Sequence, residues 1–230
     1  MSRKKIVRKA KNALIPVGET KDKKANNFHI EFLNSEQKTA WKIFDENDII
    51  FCIGAAGCGK TFLSTAYACQ SILTKTKKKI TLTRPIVESQ ESMGFLPGGV
   101  DEKLHPYLMP MYDSLDDLVG RAGLQRDIIN KSIEIAPIAF QRGRTHKDAI
   151  CLFDEAQNAT YMGLKLFLTR IGSNAKLIIN GDPQQSDLRG PVALMDVIKR
   201  LEGMPGIAVI KFSNAAIVRH PLIPKMLEKL

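Results

Sequence analysis

The sequence predicts an α/β protein, a mostly parallel sheet with helices on both faces. Three observations carry this. Short apolar runs recur along the 230 residues at 49–53, 80–84, 149–153, 175–179 and 207–212. Helix-compatible stretches lie between them, the alternation of parallel strands joined by crossovers. The first of these runs passes through a glycine-rich loop straight into a helix.

Each element follows from its residues. Residues 1–27 are a basic arm without strand or helix periodicity. Phe28-His-Ile-Glu-Phe-Leu alternates apolar and polar residues and reads as a short strand at 28–33. Asn34-Ser35 caps a helix running to about residue 44. Trp41 and Phe44 lie three apart on it and read as core. Ile49–Ile53 is a buried strand, followed by a helix over 61–73. The strand at 80–84 is closed by Pro85. Residues 87–132 form a helical insertion: a loop holding Gly94, Pro97, Gly98 and Gly99, then helical pieces at 107–118 and 124–130. Strands are expected at 132–138, Ala149–Phe153, 175–179 and 207–212. Helices are expected at 161–171, 192–201 and 222–230. Residues 28–230 are read as a single domain; repeats are not apparent.

Composition bounds the function classes. A hydrophobic content of 44% with 25% charged residues fits a soluble globular chain. No apolar run approaches the ~20 residues that span a bilayer, so no membrane partner is expected. The basic N-terminus lacks the apolar core of a signal peptide. Cys52, Cys58, Cys69 and Cys151 show no C-x-x-C pair and no metal spacing. They read as reduced thiols, and a cytoplasmic location is expected. His29, His105, His146 and His220 have no partners at metal spacing. Net charge is +10, and residues 1–24 hold nine Lys/Arg against two acids, a net of +7. Such an arm suits a phosphate backbone through counterion release, or serves as a solubilising tail.

The chemistry starts at Gly54-Ala-Ala-Gly-Cys-Gly-Lys60-Thr61, which spells G-x-x-x-x-G-K-[ST] in the context of strand, loop and helix. Glycines let successive N–H groups converge on a polyphosphate, and the helix N-terminus adds partial positive charge. Lys60 is expected to reach the β- and γ-phosphates and Thr61 to ligate Mg²⁺. The nucleotide site is expected to comprise Gly54, Ala55, Ala56, Gly57, Cys58, Gly59, Lys60, Thr61 and Phe62. Cys151-Leu-Phe-Asp154-Glu155 is a strand ending in two acids. Asp154 can hold Mg²⁺ through water, and Glu155 can polarise the attacking water. Gly181-Asp-Pro-Gln-Gln185 ends another apolar run and is expected beside the glycine loop at the carboxyl edge of the sheet, where an amide can sense the γ-phosphate.

Together these segments, with Thr83-Arg-Pro85 and Asp154-Glu-Ala-Gln-Asn158, resemble the first RecA-like domain of superfamily 1 helicases. Leu33-Asn-Ser-Glu-Gln37 resembles their glutamine motif. Gly94-Phe-Leu-Pro-Gly, Glu134-Ile-Ala-Pro137, Arg142-Gly-Arg-Thr145, Phe167-Leu-Thr-Arg-Ile-Gly172 and Val218-Arg-His-Pro221 are similar to segments of the PhoH-like ATPase family. The resemblance covers about residues 33–225 and implies a RecA-like P-loop NTPase using ATP and Mg²⁺. It implies that Gln37 reads adenine, that Asp154 and Glu155 form the acidic pair, and that Gln185 senses the γ-phosphate. A helicase takes a catalytic arginine from a second RecA-like domain, for which these residues hold no counterpart. A neighbouring subunit is expected to supply it, which implies a ring, a hexamer being one form. Arg142, Arg144, Arg170 and Arg219 are the candidates, with Arg219 chosen.

The expected activity is Mg²⁺-dependent ATP hydrolysis coupled to RNA or single-stranded DNA. A nucleotide-gated nucleic-acid-binding module with negligible turnover is a second reading, and a small-molecule kinase a third.

Overall fold

The computed structural model describes residues 32, 34–85, 100–120, 123, 127–128, 130–186 and 192–213. The basic arm, almost all of the strand expected at 28–33, the glycine-rich loop at 87–99, the helix expected at 222–230 and Arg219 lie outside them. The helical piece expected at 124–130 lies only partly within them.

Six strands form one sheet: β1 (Ile49–Ile53), β2 (Lys79–Thr83), β3 (Ile133–Ile135), β4 (Ala149–Phe153), β5 (Lys176–Gly181) and β6 (Ile207–Lys211). Their order is β3-β2-β4-β5-β1-β6, and every pairing is parallel. Helices α1 (Ser35–Glu46), α2 (Lys60–Leu73) and α3 (Val100–Val119) cover one face, and α4 (Tyr161–Leu168) and α5 (Ala193–Leu201) the other. Strands buried on both faces must be apolar throughout, which is why Ile-Ile-Phe-Cys-Ile and Ala-Ile-Cys-Leu-Phe lack alternation. Alternate residues serve opposite cores. Ile50 and Cys52 join the core under α1–α3, while Phe51 and Ile53 join that under α4 and α5. Each large side chain buried this way contributes about 1.5–3 kcal/mol.

The α1 cap is as expected: the Asn34 side chain accepts from Gln37 N at 2.9 Å. At its other end, the buried Lys176 ammonium donates to the carbonyls of Phe44 and Asn47. Phe44, Trp41 and Tyr67 pack as an aromatic cluster, with Trp41 and Tyr67 centroids 5.0 Å apart. All four cysteines are unpaired and buried; burial pushes the Cys69 and Cys151 thiols up to about 12.

Three boundaries differ from expectation. The helical piece expected at 107–118 belongs to a twenty-residue helix, α3, although Pro106 and Pro110 each remove a backbone donor. Packing overrides that cost: Leu108, Met111, Leu115 and Leu118 are buried in the α1–α3 core. The strand expected at 132–138 stops at Ile135, because Pro137 cannot donate to a ladder and Ile138–Gln141 winds into a 3₁₀ turn. Helix α4 ends at Leu168, not 171, because Ile171 bridges to His146 in extended conformation. Among the described residues no helix is long and apolar enough to cross a membrane.

Candidate nucleotide and water-activating site

The loop between β1 and α2 owes its shape to its glycines. Gly57 and Gly59 hold φ of +90° and +87°, a region that side chains resist. A Cβ on Gly54 would lie 2.9 Å from the Phe212 Cβ and 3.0 Å from its carbonyl. The Lys60 ammonium donates to Gly54 O at 2.6 Å and Ala55 O at 2.9 Å. It thus sits inside the curve of the loop, 9% exposed.

Parallel pairing of β4 and β5 beside β1 brings the other motifs to the same edge. Thr61 Oγ1 donates to Asp154 Oδ1 at 2.8 Å. Asn180 Nδ2 donates to Ser64 Oγ at 2.9 Å and to the same Asp154 oxygen at 3.3 Å. Burial pushes the Asp154 carboxyl above its ordinary value; the Thr61 hydrogen bond opposes the rise and the Glu155 charge adds to it. A cation next to this carboxylate would relieve that penalty. The donor set, one hydroxyl and one buried carboxylate, therefore fits Mg²⁺ bound through Thr61 and, by way of water, Asp154.

Glu155 takes a left-handed conformation with φ of +52°. One carboxylate oxygen accepts from Gln157 Nε2 at 2.5 Å, and the other lies 3.6 Å from the Arg84 guanidinium. The Asp182 carboxylate accepts from Ala56 N at 2.8 Å and Gln184 N at 3.1 Å. The Gly181–Gln185 turn is thereby tied to the glycine loop. These groups enclose a cavity of about 250 Å³ whose walls include Gly57, Gly59, Lys60, Thr61, Phe62, Asp154, Glu155 and Gln185. This is below the ~300–1,000 Å³ of whole-ligand pockets, a size for the phosphate end of a nucleotide. Across Glu155 and Gln185 lies a second, polar cavity of about 450 Å³, which Arg84, Gln157, Asn158 and Ser186 also line.

Most sequence-predicted residues converge here, and the others lie apart. Gly54, Ala55 and Cys58 do not line the phosphate cavity. The first two give their carbonyls to Lys60, and Cys58 is fully buried with its sulfur 3.6 Å from the ammonium. Gln37 does not line it either. It is 3% exposed and stands behind the loop, where a Cβ on Gly59 would come within 3.0 Å of its Nε2. Arg142, Arg144 and Arg170 are elsewhere. Arg144 forks onto Glu134 and Arg170 donates to the Arg144 carbonyl, while Arg142 lines a groove with Ile138 and Met162. The sequence reading missed Arg84, Gln157, Asn180 and Asp182. All four lie inside or at the edge of quoted motifs, but only the strand order shows which of them face the acids.

A family model described as PhoH-like protein matches residues 29–230. A PhoH-like protein of Bacillus subtilis (strain 168) is 43% identical over 211 residues, covering 91% of this chain and 66% of that protein. Protein PhoH of Escherichia coli (strain K12) is 40% identical over 199 residues, covering 84% of this chain and 56% of that protein. The chain thus spans between about half and two thirds of these relatives' length. Among solved structures, the large terminase from a thermophilic bacteriophage is similar with a TM-score of 0.51 and 16% identity, over 86% of this chain and 50% of that one. That likeness bears on the fold alone, and with the parallel sheet and the glycine loop it gives a RecA-like P-loop ATPase fold. The chain belongs to the PhoH-like protein family.

Proposed function

We propose that the protein binds Mg-ATP and hydrolyses it, in the cytoplasm, with turnover coupled to RNA or single-stranded DNA. The observation that carries this reading is the convergence of Lys60, the Thr61–Asp154 pair and Glu155 on one cavity. Lys60 and the loop amides hold the phosphates. Mg²⁺ there would neutralise charge on the phosphate oxygens. Glu155, lining the same cavity, orients and polarises water, and Gln185 senses the γ-phosphate. Gln37 reads adenine from behind the loop. The basic arm at residues 1–24 supplies sequence-independent attraction to nucleic acid. A ring of subunits in which Arg219 acts across the boundary belongs to the same proposal. Among the described residues, Arg84 lines the second cavity and faces Glu155.

ATP turnover by the wild type and by Glu155→Gln, with and without single-stranded RNA or DNA, tests the reading. The wild type should be stimulated by nucleic acid. Glu155→Gln should bind ATP but turn over at least about 10²-fold more slowly, the scale of a general base. Wild-type turnover in the variant would place the base elsewhere. Nucleic-acid binding without turnover would mark a gated binding module, and stimulation by a small hydroxyl acceptor a kinase.

A further inference from the structure

Gln157 is two residues beyond Glu155 and 1% exposed. Its Nε2 donates to Glu155 Oε2 at 2.5 Å, and its Oε1 accepts from Asp182 N at 3.0 Å. Its main-chain carbonyl accepts from Ser186 Oγ at 3.3 Å. These partners permit one orientation of the amide. A carboxylate only accepts and a main-chain N–H only donates, so the flipped amide would lose both bonds. Asp182 in turn accepts from Ala56 N. A continuous chain therefore runs from Glu155 through Gln157 and Asp182 into the glycine loop. Gly181 stands beside that chain, where an added Cβ would crowd the Leu194 Cδ2 and would require that side chain to move.

We propose that Gln157 is a positioning residue for hydrolysis. One buried amide aims the Glu155 carboxylate and pins the Gly181–Gln185 turn, so that water activation and γ-phosphate sensing share one reference frame. The inference rests on the reading of Glu155 as the water-activating group. Without the amide, the Glu155 carboxylate is left with the longer 3.6 Å contact to Arg84. It is then free to swing toward the second cavity, where Arg84 lies. A displacement on the order of 1 Å at a reacting group can cost about 10²-fold in rate.

The test is a double-mutant cycle of Gln157→Met and Glu155→Gln, read by ATP affinity in calorimetry and by single-turnover hydrolysis. Methionine keeps the length and volume of glutamine but neither hydrogen bond. Gln157→Met alone should lower the hydrolysis rate about 10- to 100-fold while ATP affinity stays within about threefold. In the Glu155→Gln background the same change should add little, because there is no longer a carboxylate to aim. Gln157→Glu is the companion variant should Gln157→Met fail to fold. It keeps the volume, sets a second carboxylate against Glu155, and should likewise lower the rate without a matching loss of affinity. Should Glu155→Gln alone hydrolyse like wild type, the reading of Glu155 fails first. Should Glu155→Gln stall while the Gln157 variants hydrolyse within twofold of wild type, or lose their full factor again in the stalled background, the positioning role alone is overturned.

Discussion

Replacing Lys60 by alanine should weaken ATP binding roughly thirty-fold, and the structure sets the scale. An ammonium turned onto a terminal phosphate at about 4 Å gains about 4 kcal/mol per unit charge at an effective dielectric near 20. In the structure that ammonium already donates to Gly54 O and Ala55 O. Both residues are half-buried, so water can reach their carbonyls, and giving up the two bonds costs about 2 kcal/mol at roughly 1 kcal/mol each. The net of about 2 kcal/mol corresponds to roughly thirty-fold in affinity. Titration calorimetry with ATP and Mg²⁺ measures it. Lys60→Arg is the control: it keeps the charge but must fit a planar guanidinium into a curve sized for an ammonium. Its affinity should fall between those of wild type and Lys60→Ala. An alanine variant within about threefold of wild type would show that the ammonium does not leave its carbonyls for the phosphates, and the phosphate-end reasoning would be wrong.

Two further outcomes follow from named contacts. Gly59→Ala combines a φ of +87° with a Cβ 3.0 Å from Gln37 Nε2; the left-handed conformation alone costs about 1–2 kcal/mol. At about 2–4 °C per kcal/mol for a chain of this size, the melting midpoint should fall by roughly 2–8 °C, and an unchanged midpoint would refute the strain. Glu134 concerns acid stability. Hydrogen bonds from Arg144, and then Lys79, hold its carboxyl down from an ordinary 4.5 to about 2. A depressed carboxyl stabilises the fold above its unfolded value, and that stability is lost as pH falls from about 4.5 toward 2. Discounted for solvent at a partly exposed site, the term is roughly 1–2 kcal/mol. Glu134→Gln should therefore unfold more readily than wild type in denaturant at pH 7, with the difference shrinking toward pH 3. A difference constant across that range would mean that the charge plays no part.

The local chemistry was legible in the sequence because it is built from neighbours in the chain. A strand that runs through glycines into a helix makes its own phosphate loop, and Asp154 and Glu155 follow an apolar run that can only be a buried strand. Asn34 announced its helix because a cap acts on residues within one turn. Apolar runs without alternation stated that the sheet is covered on both faces.

Tertiary structure decided which motifs meet. Nothing in the periodicity of β2, β4 and β5 says that β4 and β5 lie between β2 and β1. Yet that order sets Thr83 opposite Phe153 and Cys52 opposite Asn180. Arg84 thereby reaches Glu155, and Asn180 reaches Asp154. The order is chosen by crossovers and by two separate cores, which couple residues far apart in the chain, as in the bond between Ala56 and Asp182, 126 positions apart. Packing likewise carried α3 through two prolines, because burying Leu108, Met111, Leu115 and Leu118 outweighs the lost backbone donors. Sequence alone thus determined the groups available for phosphate and water chemistry. Only long-range packing determined that the buried Gln157 amide stands between them.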